Sequence, residues 1–179
     1  MKKVIAVVFL VLLLGAVTSY AAGLKVGDKI GDFKLGAALD DKQYTLSSPE
    51  LAGKVVYIGY ASVSSADDNV QVEEAIKANK DIERLKSENK YMGLGIGNLK
   101  DSWEPNYIIQ KIAARKAEKT GAIILLDPDF IFGNLVGAPH KIATSILVDK
   151  ERVVRYIYSG KTPAQNIPQL VDLIKKYSE

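Results

Sequence analysis

The chain of 179 residues contains no cysteine and only one histidine, His140. Without a thiol there is no disulfide, zinc–thiolate site, iron–sulfur cluster or thioether-linked haem. With one imidazole, any Ser-His-Asp triad would have to use His140. Acidic clusters are short too. Asp40-Asp41 and Asp127-Pro128-Asp129 lack the run of oxygen ligands that a calcium loop supplies, and they read as turns. No metal or cofactor site is expected.

Long hydrophobic runs are equally scarce. One exists, Val4 to Val17, preceded by Lys2-Lys3 and followed by Ser19-Tyr20-Ala21. It is shorter than the about 20 residues of a spanning helix. Its basic start and small residues before the end are those of a secretory signal peptide, residues 1–21, cleaved after Ala21. No cysteine follows, which excludes lipoprotein attachment. Loss of Lys2 and Lys3 lowers the formal net charge from +3 to +1. So weak a net field gives no attraction for nucleic acid, and none for a membrane surface. Neither nucleic-acid binding nor membrane insertion after cleavage is expected.

What remains, residues 22–179, has no repeat or low-complexity linker and reads as a single domain. The whole chain is 47% hydrophobic and 25% charged, an ordinary globular balance. Phe33-Lys34-Leu35 and Tyr44-Thr45-Leu46 are short alternating strands of an N-terminal β extension. Lys54 to Tyr60 is an apolar run, as suits a buried central strand. A long helix follows, with Val72, Ala75, Ala78, Ile82 and Leu85 on one face. Ser64 or Ser65 is its expected cap, with Asp67 and Asp68 at the positive end of its dipole. Tyr91 to Ile96 is a strand. Glu104 to Lys119 is a second helix that buries Ile108, Ile109, Ile112, Ala113 and Ala117, with Lys111, Arg115 and Lys119 outside. Ala122 to Leu126 is another buried strand. Thr144–Val148 and Arg152–Tyr158 form a hairpin. The last helix carries Ile167, Leu170, Val171 and Ile174, with Pro168 in its first turn and Asn166 as its cap. This order predicts an α/β fold: a central mixed sheet flanked by helices, entered through a β extension.

The same order, with its motifs, resembles the thioredoxin superfamily, especially the exported TlpA-type and peroxiredoxin-like branches. VGDKIGDFKLGAALDDKQYTLSSPELAGKVVYIGYAS resembles their entry segment. GAIILLDPDFIFGNLVGA resembles the stretch before their substrate-binding loop, and IATSILVDKERVVRYIYSG their closing hairpin. The cysteine-lacking, exported YtfJ family is similar in its leader, its LAGKVVYIGYASVSSADDNVQVEEAIKANK stretch and its LVDKER turn. The resemblance implies a thioredoxin-like domain over residues 22–179 and a periplasmic location. By the same resemblance the aromatic-Ala pair is Tyr60-Ala61, the attacking cysteine's position is Ser64, and the resolving cysteine's is Asp67. Ser65-Ala66 lies between them. The loop proline's position is Ala143, expected trans.

All three signature positions are therefore replaced, and the thiolate chemistry of that fold has no nucleophile here. The expected function is a non-redox one in the cell envelope: binding a protein or peptide at the degenerate positions Ser64, Ser65, Asp67 and Ala143. Tyr60, Trp103 and His140 are accessory candidates. A small anion at the N-terminus of the first long helix is one alternative. A hydrolase using Ser64, with His140, Lys141 or a carboxylate as base, is another. A structural subunit of an envelope complex is a third. Plain readings stand beside each: capping for Ser64, Ser65 and Asp67, a solvated loop for His140, a solvated face for Lys111, Arg115 and Lys119. For Trp103, a lid over the core and an exposed anchor are both open.

Overall fold

The computed structural model describes residues 23–40 and 42–179. The leader reading and Asp41 fall outside them. Seven strands form one sheet: β1 (Leu35–Ala37), β2 (Gln43–Tyr44), β3 (Val55–Ser62), β4 (Tyr91–Asn98), β5 (Ile123–Asp127), β6 (Thr144–Val148) and β7 (Val154–Ser159), in the order β2-β1-β5-β4-β3-β6-β7. Strands β3, β4 and β5 are parallel. Strand β6 runs antiparallel to β3, β7 to β6, and β1 to β5. Five helices accompany them: α1 (Val70–Ala78), α2 (Lys80–Ser87), α3 (Asn106–Thr120), α4 (Ile131–Val136) and α5 (Ile167–Ser178). The fold is thioredoxin-like α/β, and its first strands are the expected N-terminal extension.

Period-two alternation in β3 divides the interior into two cores. Val56, Ile58 and Tyr60 point to one face, with Phe33, Leu35, Leu125 and Phe132. Val55 and Tyr57 point to the other, with Val72, Ile76, Ile82, Leu85, Leu170 and Ile174 from α1, α2 and α5. Buried on both sides, β3 reads as a continuous apolar run.

Two helical expectations are corrected. The single long helix is two, broken at Asn79 (φ −85°, ψ 113°), whose Oδ1 accepts the N–H groups of Asp81 and Ile82, each at 3.1 Å. The break resets the helical phase, because Ile76 and Ile82 are six residues apart and would not share a stripe on one straight helix. Ile76 is buried instead of Ala78, which is exposed. In α3, Ile109 and Ala117 are buried as expected, whereas Ile108 and Ile112 are exposed. Elsewhere, α3 ends at Gly121 in the left-handed region (φ 65°). Asn166 occupies the cap position of α5, with Pro168 in the first turn, but its side chain makes no capping bond.

Candidate functional site

All three parallel strands extend beyond their apolar runs, and the added residues are polar. Ser62 ends β3, Asn98 ends β4 and Asp127 ends β5. The register places Ser62 beside Asn98 and Asn98 beside Asp127. Open α/β sheets place their sites at this carboxyl end of the strands.

The serines lie here, in a different role from the one expected. Ser62 Oγ is 3.0 Å from Ser64 Oγ and 3.1 Å from Ser65 Oγ, and the Ser62 N–H donates to Ser65 Oγ at 3.2 Å. These hydroxyls brace a 3-10 turn, Val63–Ser65, that precedes α1. The cap position of α1 belongs to Asn69. Its Oδ1 is turned away to accept the Thr162 N–H at 3.0 Å. Ser64 and Ser65 therefore do not cap α1, because the turn and residues 66–69 separate them from it. Asp67 is exposed, and its carbonyl accepts the Val70 N–H at 3.3 Å. Ala143 is buried just before β6, and its carbonyl accepts the Gly160 N–H at 2.7 Å. No cis peptide bond occurs among the described residues.

A second cluster joins two loops. Asn98 Nδ2 donates to Asp101 Oδ2 at 2.6 Å, and the Lys141 N–H donates to the same oxygen at 3.1 Å. Asp101 Oδ1 lies 2.7 Å from His140 Nδ1. The His140 ring stacks on Phe130 with centroids 4.3 Å apart and planes 6° from parallel. His140 is thus solvent-facing yet held on two sides. Burial by itself would raise the Asp101 carboxyl. The hydrogen bonds from His140, the Lys141 N–H and Asn98 outweigh it and hold the group below the usual carboxylate range.

The third cluster is buried. Asp127 accepts the N–H groups of Ile131 at 2.7 Å, Phe132 at 3.0 Å and Gly133 at 3.1 Å, and the Tyr60 hydroxyl at 3.1 Å. Far from marking a simple turn, this carboxylate holds the start of α4. A Cβ on Gly133 would lie 2.6 Å from the Phe130 ring and from the Tyr60 hydroxyl, so only glycine fits there. Burial, and then the neighbouring Asp127 charge, raise the Tyr60 hydroxyl far above its ordinary value. Burial also pushes Tyr57 up to about 12, although its hydroxyl pairs with Ser145 Oγ at 3.1 Å. Both phenols stay protonated at neutral pH, so neither is a base.

The structure brings Tyr60, Ser64, Ser65, His140 and Ala143 to one end of the sheet. It does not join them into a catalytic set. No hydrogen bond links His140 to a serine among the described residues, and the Ser64 hydroxyl is engaged by Ser62. No group of three or more metal-ligating side chains exists among the described residues. Trp103 is 89% exposed, so it is not a lid over the core. Asn98, Asp101, Asp127 and Phe130 were missed as site residues. The available signal was that each parallel strand is followed at once by a short polar residue.

No protein-family model matches the chain, and neither does any curated protein sequence. Solved structures do match. One, assigned as a protein disulfide isomerase of Bacteroides thetaiotaomicron, is 25% identical over 86% of this chain and 90% of its own, with TM-score 0.62. A thiol:disulfide interchange protein DsbE of Chlorobium tepidum is 20% identical over 87% of this chain and 99% of its own, with TM-score 0.63. A secreted thiol-disulfide isomerase of Corynebacterium glutamicum is 16% identical over 86% and 90%, with TM-score 0.57. These likenesses are to thioredoxin-fold proteins of the thiol–disulfide type. The present chain has the fold and none of the cysteine.

Proposed function

We propose that this protein is an exported, non-redox binding module of the cell envelope. It takes a protein or peptide segment at the carboxyl end of β3–β5, where thioredoxin-fold relatives carry their thiols. A periplasmic location fits the leader pattern, the resemblance to the YtfJ family and the secreted Corynebacterium likeness.

The distribution of exposed apolar side chains carries this reading. Nine large hydrophobic residues are exposed among those described. Val63, Ile131 and Ile142 sit in the segments that follow β3, follow β5 and precede β6, all at the same end of the sheet. They lie at the same end of the sheet as the pairing of Asp101 with His140. Among the nine, Val26 and Leu39, at the opposite end, are the only two outside this region and α3 with the loop before it. Apolar groups rimmed by polar ones mark contact surfaces.

The anion alternative loses support because three of the backbone amides before α1 are occupied. The N–H groups of Ala66, Asp68 and Val70 already donate to Val63, Ser65 and Asp67 carbonyls. Asp67 and Asp68 add negative charge where an anion would sit. Among the described residues, the Ser64 hydroxyl is hydrogen-bonded to Ser62 and to no base.

Site-specific photo-crosslinking in envelope extract tests the reading. Crosslinkers placed at Val63, Ile131 and Ile142 should capture the same partner. Crosslinkers at Val26 and Leu39 should not, and Ser64→Trp should reduce capture by filling the space beside Val63. Equal capture at both ends, or none at either, would overturn it.

A further inference from the structure

We propose that α3 and the loop before it form a second contact surface, one that rests on an anionic phospholipid membrane. The surface is separate from the segments around Val63, Ile131 and Ile142.

Helix α3 turns apolar side chains outward. Trp103 in the preceding loop is 89% exposed, Tyr107 is 70% and Ile112 is 57%, with Ile108 beside them. At 100° per residue, Tyr107, Lys111, Arg115, Ile108 and Ile112 follow one another around less than half of the helix. The opposite side carries Ile109, Ala113 and Ala117, the residues nearest the sheet. The outer face is therefore basic and apolar at once. The helix holds Lys111, Arg115, Lys116 and Lys119 against the single acid Glu118. Only Lys116 is paired, with Glu73 of α1 at 3.5 Å. Lys111, Arg115 and Lys119 have no carboxylate within 4.0 Å among the described residues.

This mixture decides the occupant. Protein interfaces are depleted in lysine at their centres. A helix that alternates Lys and Arg with Tyr and Ile, beside a loop Trp, suits the headgroup layer instead. There the rings lie at the level of the headgroups and the cations meet lipid phosphates. Long basic side chains can lay their stems along Ile108 and Ile112 and still keep their charge at the surface. The weak overall net charge is no obstacle, since the attraction acts within a Debye length of α3. The contact is peripheral, for none of the described helices is long and apolar enough to cross a membrane.

Trp103 is the only tryptophan in the chain, so tryptophan emission, excited selectively over the tyrosines, reports on this surface alone. The protein is purified after export, as the cell processes it. It is mixed with vesicles of phosphatidylcholine, with or without phosphatidylglycerol. Because every variant carries the same N-terminus, differences among variants report on α3. The wild type should sediment with the phosphatidylglycerol vesicles, and its emission should shift to the blue. High salt should reverse both. Lys111→Glu with Arg115→Glu should weaken partitioning by about tenfold or more. Ile112→Ser should weaken it less and leave its salt dependence intact. All these positions are exposed, so unchanged circular dichroism confirms that the variants fold. Emission that stays unshifted, or binding to phosphatidylcholine alone that matches the mixed vesicles, overturns the proposal. So does binding that survives the charge reversal, or a shift that needs envelope protein and no lipid.

Discussion

Helices α3 and α5 have similar apolar content and opposite fates. The 12 residues of α5 bury Leu170, Val171 and Ile174. The 15 residues of α3 bury Ile109 and Ala117 and leave Ile108 and Ile112 in solvent. The side of each helix that carries its large apolar residues explains the difference. Helix α5 meets a core of large side chains that includes Val55, Tyr57 and Leu147. On the same face of the sheet, β4 presents Gly93, Gly95 and Gly97, since alternate residues share a face with Tyr91. Helix α3 packs against β5 beside this row, and its Ile108 and Ile112 lie on the side of the helix turned away from the buried Ile109 and Ala117. What fixes the entry to α3 is polar: Asp101, in the connection between β4 and α3, is held by Asn98, His140 and the Lys141 N–H.

The largest expected effect lies on the apolar side of this contrast. Leu170→Ala removes a fully buried side chain and should cost about 2–5 kcal/mol, read from urea unfolding. A loss below about 1 kcal/mol would mean that α5 is no better anchored than α3. Next comes the polar clasp. Asp101→Ala should cost about 1–3 kcal/mol, because it strips acceptors from Asn98 and Lys141.

That contribution also has a pH signature. The folded carboxyl of Asp101 lies below its ordinary value of 3.8. A depressed acid stabilises the fold above its unfolded pKa and loses that contribution as pH falls through the folded one. The stability gap between wild type and Asp101→Asn should therefore be full at neutral pH and close below about pH 4. Hydrogen exchange should show the amides of the start of α3 losing protection in that window before those of α5. Simultaneous loss in both helices would erase the distinction.

Smaller effects sharpen the account of the glycine row. A Cβ at Gly95 would meet Ile124 Cγ1 at 3.5 Å, ordinary van der Waals contact. Gly95→Ala should be neutral or stabilise by up to about 1 kcal/mol, since it also restricts the unfolded chain. A clear destabilisation in thermal unfolding would show that the glycine row is already tightly covered. The smallest change is expected for Ile112→Ser, within about 0.5 kcal/mol, because the side chain is already in water.

Much of this architecture was legible in the sequence. The apolar run of β3, the hairpin of β6 and β7, Gly121 after α3 and Pro168 in α5 each carry a local signal. The candidate site was only half legible. Ser64, Ala143 and His140 were placed by resemblance, and they share one end of the sheet. Asn98, Asp101 and Asp127 were not, because Asn and Asp after an apolar run look like the start of a loop. Their roles depend on partners 3 to 67 positions away, such as Lys141 for Asp101 and Tyr60 for Asp127. The break at Asn79 was hidden for a related reason: an asparagine is unremarkable on a helix surface until its side chain takes the amides of the next turn.

The sequence by itself determined that thiol chemistry is absent, since no arrangement of this chain supplies a cysteine. It also determined where the strands and helices lie to within a few residues, because periodicity and turn residues act locally. Tertiary structure alone decided which apolar residues remain exposed, since burial depends on what lies opposite. Ile109 and Ile112 are the same residue type, three positions apart on one helix. One faces the sheet and the other faces water, and only the packing of α3 against its neighbours separates them.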